Sequence, residues 1–258
     1  MTLFYAGRLP KGALIDAELT PPPARKIAAP ISYGPAAPVM FTTSQGLSLN
    51  GAGRVTAWES VPPAIARAER VSFNDEGTGF DPELRALDFV AKTHGGLCVA
   101  DVIPNGALFS IGLIYAPPPK RDAQTLLSLQ AKGDDDYAFL SAEDATIRFA
   151  LRGGDESLSV PDPQKLTLLV MSSDGRKVRL SVNRELAASV DCALPATPLD
   201  IFLGCRGGTR SLLGKLGSFT LTDMLVWPNE DVLAGEVTRA PTAALALWQE
   251  RLRNGVRT

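Results

Sequence analysis

The sequence predicts an all-β sandwich or barrel, and three observations carry that prediction. From about residue 46 onward, short apolar or alternating runs recur roughly every ten residues, punctuated by Gly, Pro, Asp and Asn, the spacing of antiparallel strands. Across 177–183 the period is two: Val178, Leu180 and Val182 face one way, and Arg179, Ser181 and Asn183 face the other. That is a strand buried on one side. Turn residues bracket it, Asp174-Gly175 before and Asn183-Arg184 after, so residues 165–190 fold as a three-stranded meander. Asn enters the left-handed region cheaply, whereas Arg184 there would cost about 1 kcal/mol relative to Gly.

In chain order, residues 20–38, "TPPPARKIAAPISYGPAAP", are rich in proline. Proline fixes φ and removes backbone donors, so residues 1–44 are expected to form an extended arm. The arm is a floppy linker, straps its own domain, or docks on a neighbouring subunit. The sandwich is expected over 45–232. Its strands are read in "GLSLNG", "RVTAW", "GLCVADV", "LFSIGLIYA", "QTLLSLQA", "YAFLS", "TIRFAL", "KLTLLVMSS", "KVRLSVN", "ELAASV", "LDIFLGC" and "SFTLTDMLVW". "VPPAIARAER" at 61–70 is expected to be a short helical turn or loop. In the last strand Phe219 and Leu221 share one face and Met224 and Val226 the other. Either both faces are covered, or a bulge near Thr222-Asp223 shifts the phase. A tail over 233–258 holds a helix from Pro241 to Gly255, with an apolar stripe of Ala244, Leu245, Trp248 and Leu252, and with Glu250, Arg251 and Arg253 outward. That stripe packs on its own sandwich or on a partner.

Composition narrows the function. A chain of 258 residues can bury roughly 70–75% of its unfolded surface and needs no staple. A formal charge of -2 argues against nucleic acid, which requires a basic stripe. No stretch reaches the ~18 apolar residues of a membrane span. The N-terminal "MTLFYAGRLPKGALIDAEL" carries early charges and lacks an unbroken apolar core, so cytoplasmic synthesis without a secretory signal is expected. Cys98, Cys192 and Cys205 lack metal-ligand spacing and read as buried free thiols, or as one pair plus a spare.

The string V-x-L-x-V-N, a tight turn, x-L-x-x-S, then P-L-x-I-F-L-G and L-G-S-F-T-L-T-D-M-L-V-W, in a matched region of about 165–228, resembles the second half of a concanavalin A-like, laminin-G-like jelly roll. Including weaker matches, the resemblance extends over most of 45–228. Domains of that family usually have Gly after the Asn, where this chain has Arg184. The resemblance implies the jelly-roll architecture, shared by lectins, glycoside hydrolases, polysaccharide lyases and plain interaction modules, and fold alone does not choose among them.

Hydrolases of this architecture carry alternating acids on one strand, and no such spacing occurs on a convincing strand here. "NDEG" at 74–77, the acids of "GDDDYAF" at 133–139, and Glu143-Asp144 all read as turns. His94, the single histidine, reads as an exposed loop residue. Trp58 and Trp227 read as core or interface anchors rather than sugar platforms. A sugar-contacting rim is expected from Asp136, Tyr137, Arg206 and Arg210, which offer a planar ring and forked donors. No cofactor is expected. Calcium stays open through Asp134 and Asp136, which fall short of the six to eight oxygens it takes.

The expectation is therefore a non-catalytic attachment or structural module, a spike or fibre component of a phage or phage-like particle that recognises surface glycan. Its partners would be further subunits of a homo-oligomer, met through the arm and the helix, and cell-surface polysaccharide. The alternatives are a free lectin-like protein and a jelly-roll glycoside hydrolase or lyase.

Overall fold

The computed structural model describes residues 37–63, 65–73, 78–117, 124–207, 216, 218–234 and 241–254. In chain order these form β1 (Val39–Thr42), β2 (Leu47–Leu49), β3 (Val55–Glu59), β4 (Arg67–Arg70), β5 (Thr78–Asp81), β6 (Ala86–Phe89), β7 (Leu97–Ile103), β8 (Leu108–Ala116) and β9 (Gln124–Ala131). There follow β10 (Tyr137–Glu143), β11 (Thr146–Leu151), β12 (Ser157–Pro161), β13 (Thr167–Asp174), β14 (Lys177–Val182), β15 (Glu185–Asp191), β16 (Leu199–Leu203), β17 (Phe219–Pro228) and the helix α1 (Thr242–Arg253).

The strands make two antiparallel sheets. One runs β15-β14-β13-β8-β17-β6-β5, with β1 on the part of the β17 edge that β6 leaves free; the other runs β12-β11-β10-β9-β16-β7-β4-β3-β2. Each sheet turns one apolar face inward, and Phe41, Trp58, Phe89, Phe109, Phe149 and Phe219 meet in the core between them. Phe89 stacks on Phe219 at 4.5 Å, and Phe41 meets Trp58 edge-on at 5.4 Å. Each such pair adds about 0.5–1.5 kcal/mol beyond its buried area. The chain is a two-sheet β-sandwich of the jelly-roll type, with one C-terminal helix.

The meander β13-β14-β15 forms as predicted, with Val178 and Leu180 fully buried, but Ser181, expected on the open face, is fully buried as well, where the register with β15 shifts after Leu180. Its first turn places Gly175 at φ +81°, a conformation open to glycine. Asp174 Oδ1 there accepts the Arg176 and Lys177 amides at 2.9 and 2.8 Å. The second turn relieves the strain expected at Arg184. Asn183 alone takes positive φ (61°), and the Arg184 amide bonds back to Val182 O at 2.8 Å, a γ-turn. Asn183 is held from both sides, its own amide donating to Leu168 O and its Oδ1 accepting the Leu168 amide.

The irregularity in β17 is a bulge, and both faces are covered. The register with β8 slips between Leu221 and Asp223, so Phe219, Leu221, Met224 and Val226 all reach the central core. Leu225 and Trp227 face outward into a second cluster with Ile114, Leu168 and Val170, capped by Ala244 and Trp248 of α1. Trp248 Nε1 donates to Leu166 O at 3.2 Å, so the helix stripe seats on its own sandwich.

Several expectations are corrected. The arm boundary at 44 falls too late, because Val39–Thr42 pairs with β17; residues 1–36 lie outside the described residues. Residues 67–70 are strand β4 rather than helical turn or loop, pairing with β3 and β7, with Ala68 fully buried in register between Trp58 and Val99. Arg251 is not outward: at 5% exposed it bonds both oxygens of Asp223 at 2.7 Å and Thr42 Oγ1 at 2.6 Å. Leu252 leaves the stripe and is 46% exposed. His94 is buried, edge-on to Phe73, in a loop drawn inward where Gly95 O accepts the Thr78 hydroxyl at 2.6 Å. Trp58 and Trp227 are core residues, and all three cysteines are free, Cys192 and Cys205 buried as expected but Cys98 only partly so.

Candidate functional site

In the second sheet, alternate side chains point away from the core, and register lines them up across strands. Ala150, Phe139, Ser128, Phe202, Cys98 and Glu69 form one row over six neighbouring strands. The next row holds Tyr137 opposite Gln130, and Gln130 opposite Asp200. Tyr137 opens β10, so it stands at the corner where this outer face meets one end of the sandwich.

At that corner lies a cleft of about 580 Å³. In an antiparallel meander alternate turns fall at the same end, which brings the β9–β10 loop (132–136) beside the β11–β12 loop (152–156). The segment Ala193–Pro195 and Leu199, leading into β16, close the opposite wall. Leu129, Ala138, Leu194 and Leu199 supply a buried apolar floor, while Asp134, Asp136, Tyr137, Arg152, Gly153 and Gly154 form the rim.

The rim is braced before any ligand arrives. Asp134 Oδ1 accepts the Asp136 amide at 3.0 Å, and Gln130 Nε2 donates to Asp134 O. Arg152 Nη1 donates to Asp135 O at 2.6 Å, tying one loop to the other, and its guanidinium lies 5.5 Å from the centre of the half-exposed Tyr137 ring. Further along the face Arg206 lies over Phe139 at 4.0 Å and donates to Thr125 Oγ1 at 2.9 Å. Burial lowers the pKa of this guanidinium from its usual value, and the neighbouring Tyr137 hydroxyl and Glu143 partly offset that. The loop carrying Arg206 is pinned to the sheet where Ser128 Oγ donates to Cys205 O and accepts the Gly207 amide. Gly207 has φ +65°, and a Cβ there would fall 2.6 Å from Gln130 Oε1.

The structure thus brings Asp136 and Tyr137 together at the cleft, with Asp134 beside them. Arg206 reaches the outer side of Tyr137 rather than the cleft. Arg210 and the "NDEG" segment lie outside the described residues. Asp134 and Asp136 belong to one loop, and among the described residues no three His, Cys, Asp or Glu side chains are grouped to hold a metal ion. Among the described residues no helix is long and apolar enough to cross a membrane. Sequence reading missed Arg152, Leu194 and Leu199. The Gly153-Gly154 pair, matching Gly133 one hairpin earlier, was the available signal for the second loop.

Beside the loop carrying Arg206, Cys98 is flanked by acids. Burial, then Asp200, Asp101 and Glu69, push its thiol up to about 12.

No protein-family model matches the sequence, and no curated protein matches it. Among solved structures, the fold is similar to Trypanosoma rangeli sialidase in complex with the inhibitor DANA. That match has a TM-score of 0.54 and 15% identity and covers 85% of this chain and 32% of the sialidase. It is also similar to the botulinum neurotoxin serotype D binding domain, with a TM-score of 0.50 and 9% identity, covering 83% of this chain and 52% of that one. A carbohydrate-binding module, the CBM40 of a Ruminococcus gnavus sialidase bound to α2,3-sialyllactose, matches over 56% of this chain and 83% of its own at 21% identity, with a TM-score of 0.41. The chain therefore spans about a third of the sialidase and about half of the toxin domain. At these identities the likeness speaks for the fold alone, a β-sandwich of the jelly-roll type.

Proposed function

We propose that the protein is a non-catalytic carbohydrate-recognition module whose binding site is the cleft at Tyr137. One observation carries the reading: an aromatic ring, two carboxylates and a guanidinium converge around a pre-braced cleft whose size suits a small ligand, within the roughly 300–1,000 Å³ usual for such sites. A sugar presents C–H faces that pack on aromatic rings and hydroxyls that pair with carboxylates and guanidinium groups. The non-catalytic reading is supported by the acids lining the cleft. Asp134 and Asp136 come from one wall, whereas glycoside hydrolysis needs carboxyls flanking the bond from two sides.

The finer reading is a spike or fibre component of a phage-like particle, assembled as a homo-oligomer through residues preceding β1, since the stripe of α1 is already taken up by its own sandwich. The proline-rich sequence before β1 supports it, because preorganised segments lose less entropy on docking. The test of the core reading is a glycan array probed with the intact protein. Binding that is lost in Tyr137→Ala is expected. Silence across the array, or release of new reducing ends that stops in Asp136→Asn, would overturn it. For the finer reading, the native mass of the full chain should be a multiple of the monomer and should fall when residues 1–34 are removed; a strict monomer would exclude the assembly.

A further inference from the structure

The floor of the Tyr137 cleft is made by a size mismatch across strands. In register, Leu151, Ala138, Leu129 and Ile201 form one row pointing inward, and the alanine between two leucines leaves a dent where a larger side chain would fill the layer. Leu194 and Leu199 line the same dent, and none of these side chains carries a polar atom. A hydroxyl pressed onto such a floor would lose its water and find no partner, whereas a methyl group gains by leaving water. The rim above is polar, with acceptors on Asp134 and Asp136 and donors on Tyr137 and Arg152. Two carboxylates at the mouth also disfavour an anionic ligand.

Building on the carbohydrate reading, we propose that the cleft selects a saccharide bearing an acetamido group. Its methyl lies over Ala138 on the apolar floor, and its amide N–H meets the carboxylates of the 132–136 loop. This chemistry separates an acetamido sugar from the same sugar with a bare hydroxyl. One methyl-sized group in an apolar pocket discriminates by about tenfold or more.

The test uses the full chain and two oligosaccharides matched in linkage and length, the β-1,4-linked tetramer of N-acetylglucosamine and that of glucose. Titration calorimetry should give at least about tenfold tighter binding of the acetamido tetramer. Saturation-transfer NMR on the unmodified protein should find the acetyl methyl protons the most strongly saturated. Ala138→Leu, which fills the dent, should erase the preference. Since added bulk can also disturb packing, the NMR measurement stands independently of that variant. Equal affinity for the two tetramers, or saturation confined to ring protons, overturns the acetamido inference and leaves carbohydrate recognition intact. The same follows if the array yields ligands that all lack acetamido groups. Absence of binding to any glycan overturns both.

Discussion

Replacing Arg251 by methionine removes the guanidinium that holds a fully buried carboxylate. Asp223 sits in the bulge of β17 at 0% exposure, and Arg251 meets both of its oxygens at 2.7 Å while also reaching Thr42 Oγ1 at 2.6 Å. The paired carboxylate keeps the guanidinium pKa above its ordinary value, through a direct hydrogen bond that outweighs burial. Methionine retains most of the apolar stem but leaves the carboxylate buried without its partner, which costs about 3–5 kcal/mol. For a domain of this size each kcal/mol lowers Tm by roughly 2–4 °C, so a fall of about 6–20 °C is expected. The same contact links β1, β17 and α1, so local protection of the helix amides should fall with it. The assay is urea and thermal denaturation of the wild type, Arg251→Met, Asp223→Leu and the double variant. The double variant should recover much of the loss, because two apolar groups leave no buried charge behind. A loss under about 1 kcal/mol for Arg251→Met, or additive losses in the cycle, would refute the claim that this ion pair anchors the helix.

Trp248→Ala should cost about 3–5 kcal/mol, since it empties the cluster on Trp227 and removes the bond to Leu166 O, while Leu252→Ala on the exposed side should change stability by less than about 0.5 kcal/mol; paired denaturation curves check the contrast. Cys98, with its pKa at about 12, should react with iodoacetamide at pH 8 about a hundredfold more slowly than in the unfolded chain. Scarce thiolate is only partly offset by its greater nucleophilicity, and Asp200→Asn should speed the reaction. Burial pushes the Asp174 carboxyl up, but the Arg179 hydrogen bond and the Arg176 and Lys177 amides outweigh it and hold the group at about 2. Its folded pKa is depressed, so its contribution to stability is present above about pH 4 and fades as pH falls towards 2. Asp174→Asn should flatten the acid limb of the stability profile over that window, less so in high salt because the pair is partly exposed.

What the sequence revealed depended on whether the information was local. Alternation over 177–183 and the turn at Gly175 are settled by neighbours along the chain, and so was the phase shift that marks the β17 bulge. Strand β4 was misread because only Ala68 among its four residues is buried, which leaves too little pattern to see. Strand β1 was hidden by the prolines that precede it. Arg251 looks like any helix-surface charge until the chain ends are brought together, since its partners stand 28 and 209 residues away. The cleft was half legible. Asp136 and Tyr137 lie on a hairpin that composition marks out, but the floor depends on Ala138 falling between Leu129 and Leu151, and on Leu194 arriving from beyond β15. Register and topology decide those neighbours.

The most direct measurement is a crystal structure of the full chain with a bound oligosaccharide identified from the array. The expected result is an intact sugar in the cleft, packed against Tyr137 between the 132–136 and 152–156 loops. A sugar on the other sheet, or a cleaved product held between opposed carboxyls, would contradict the account.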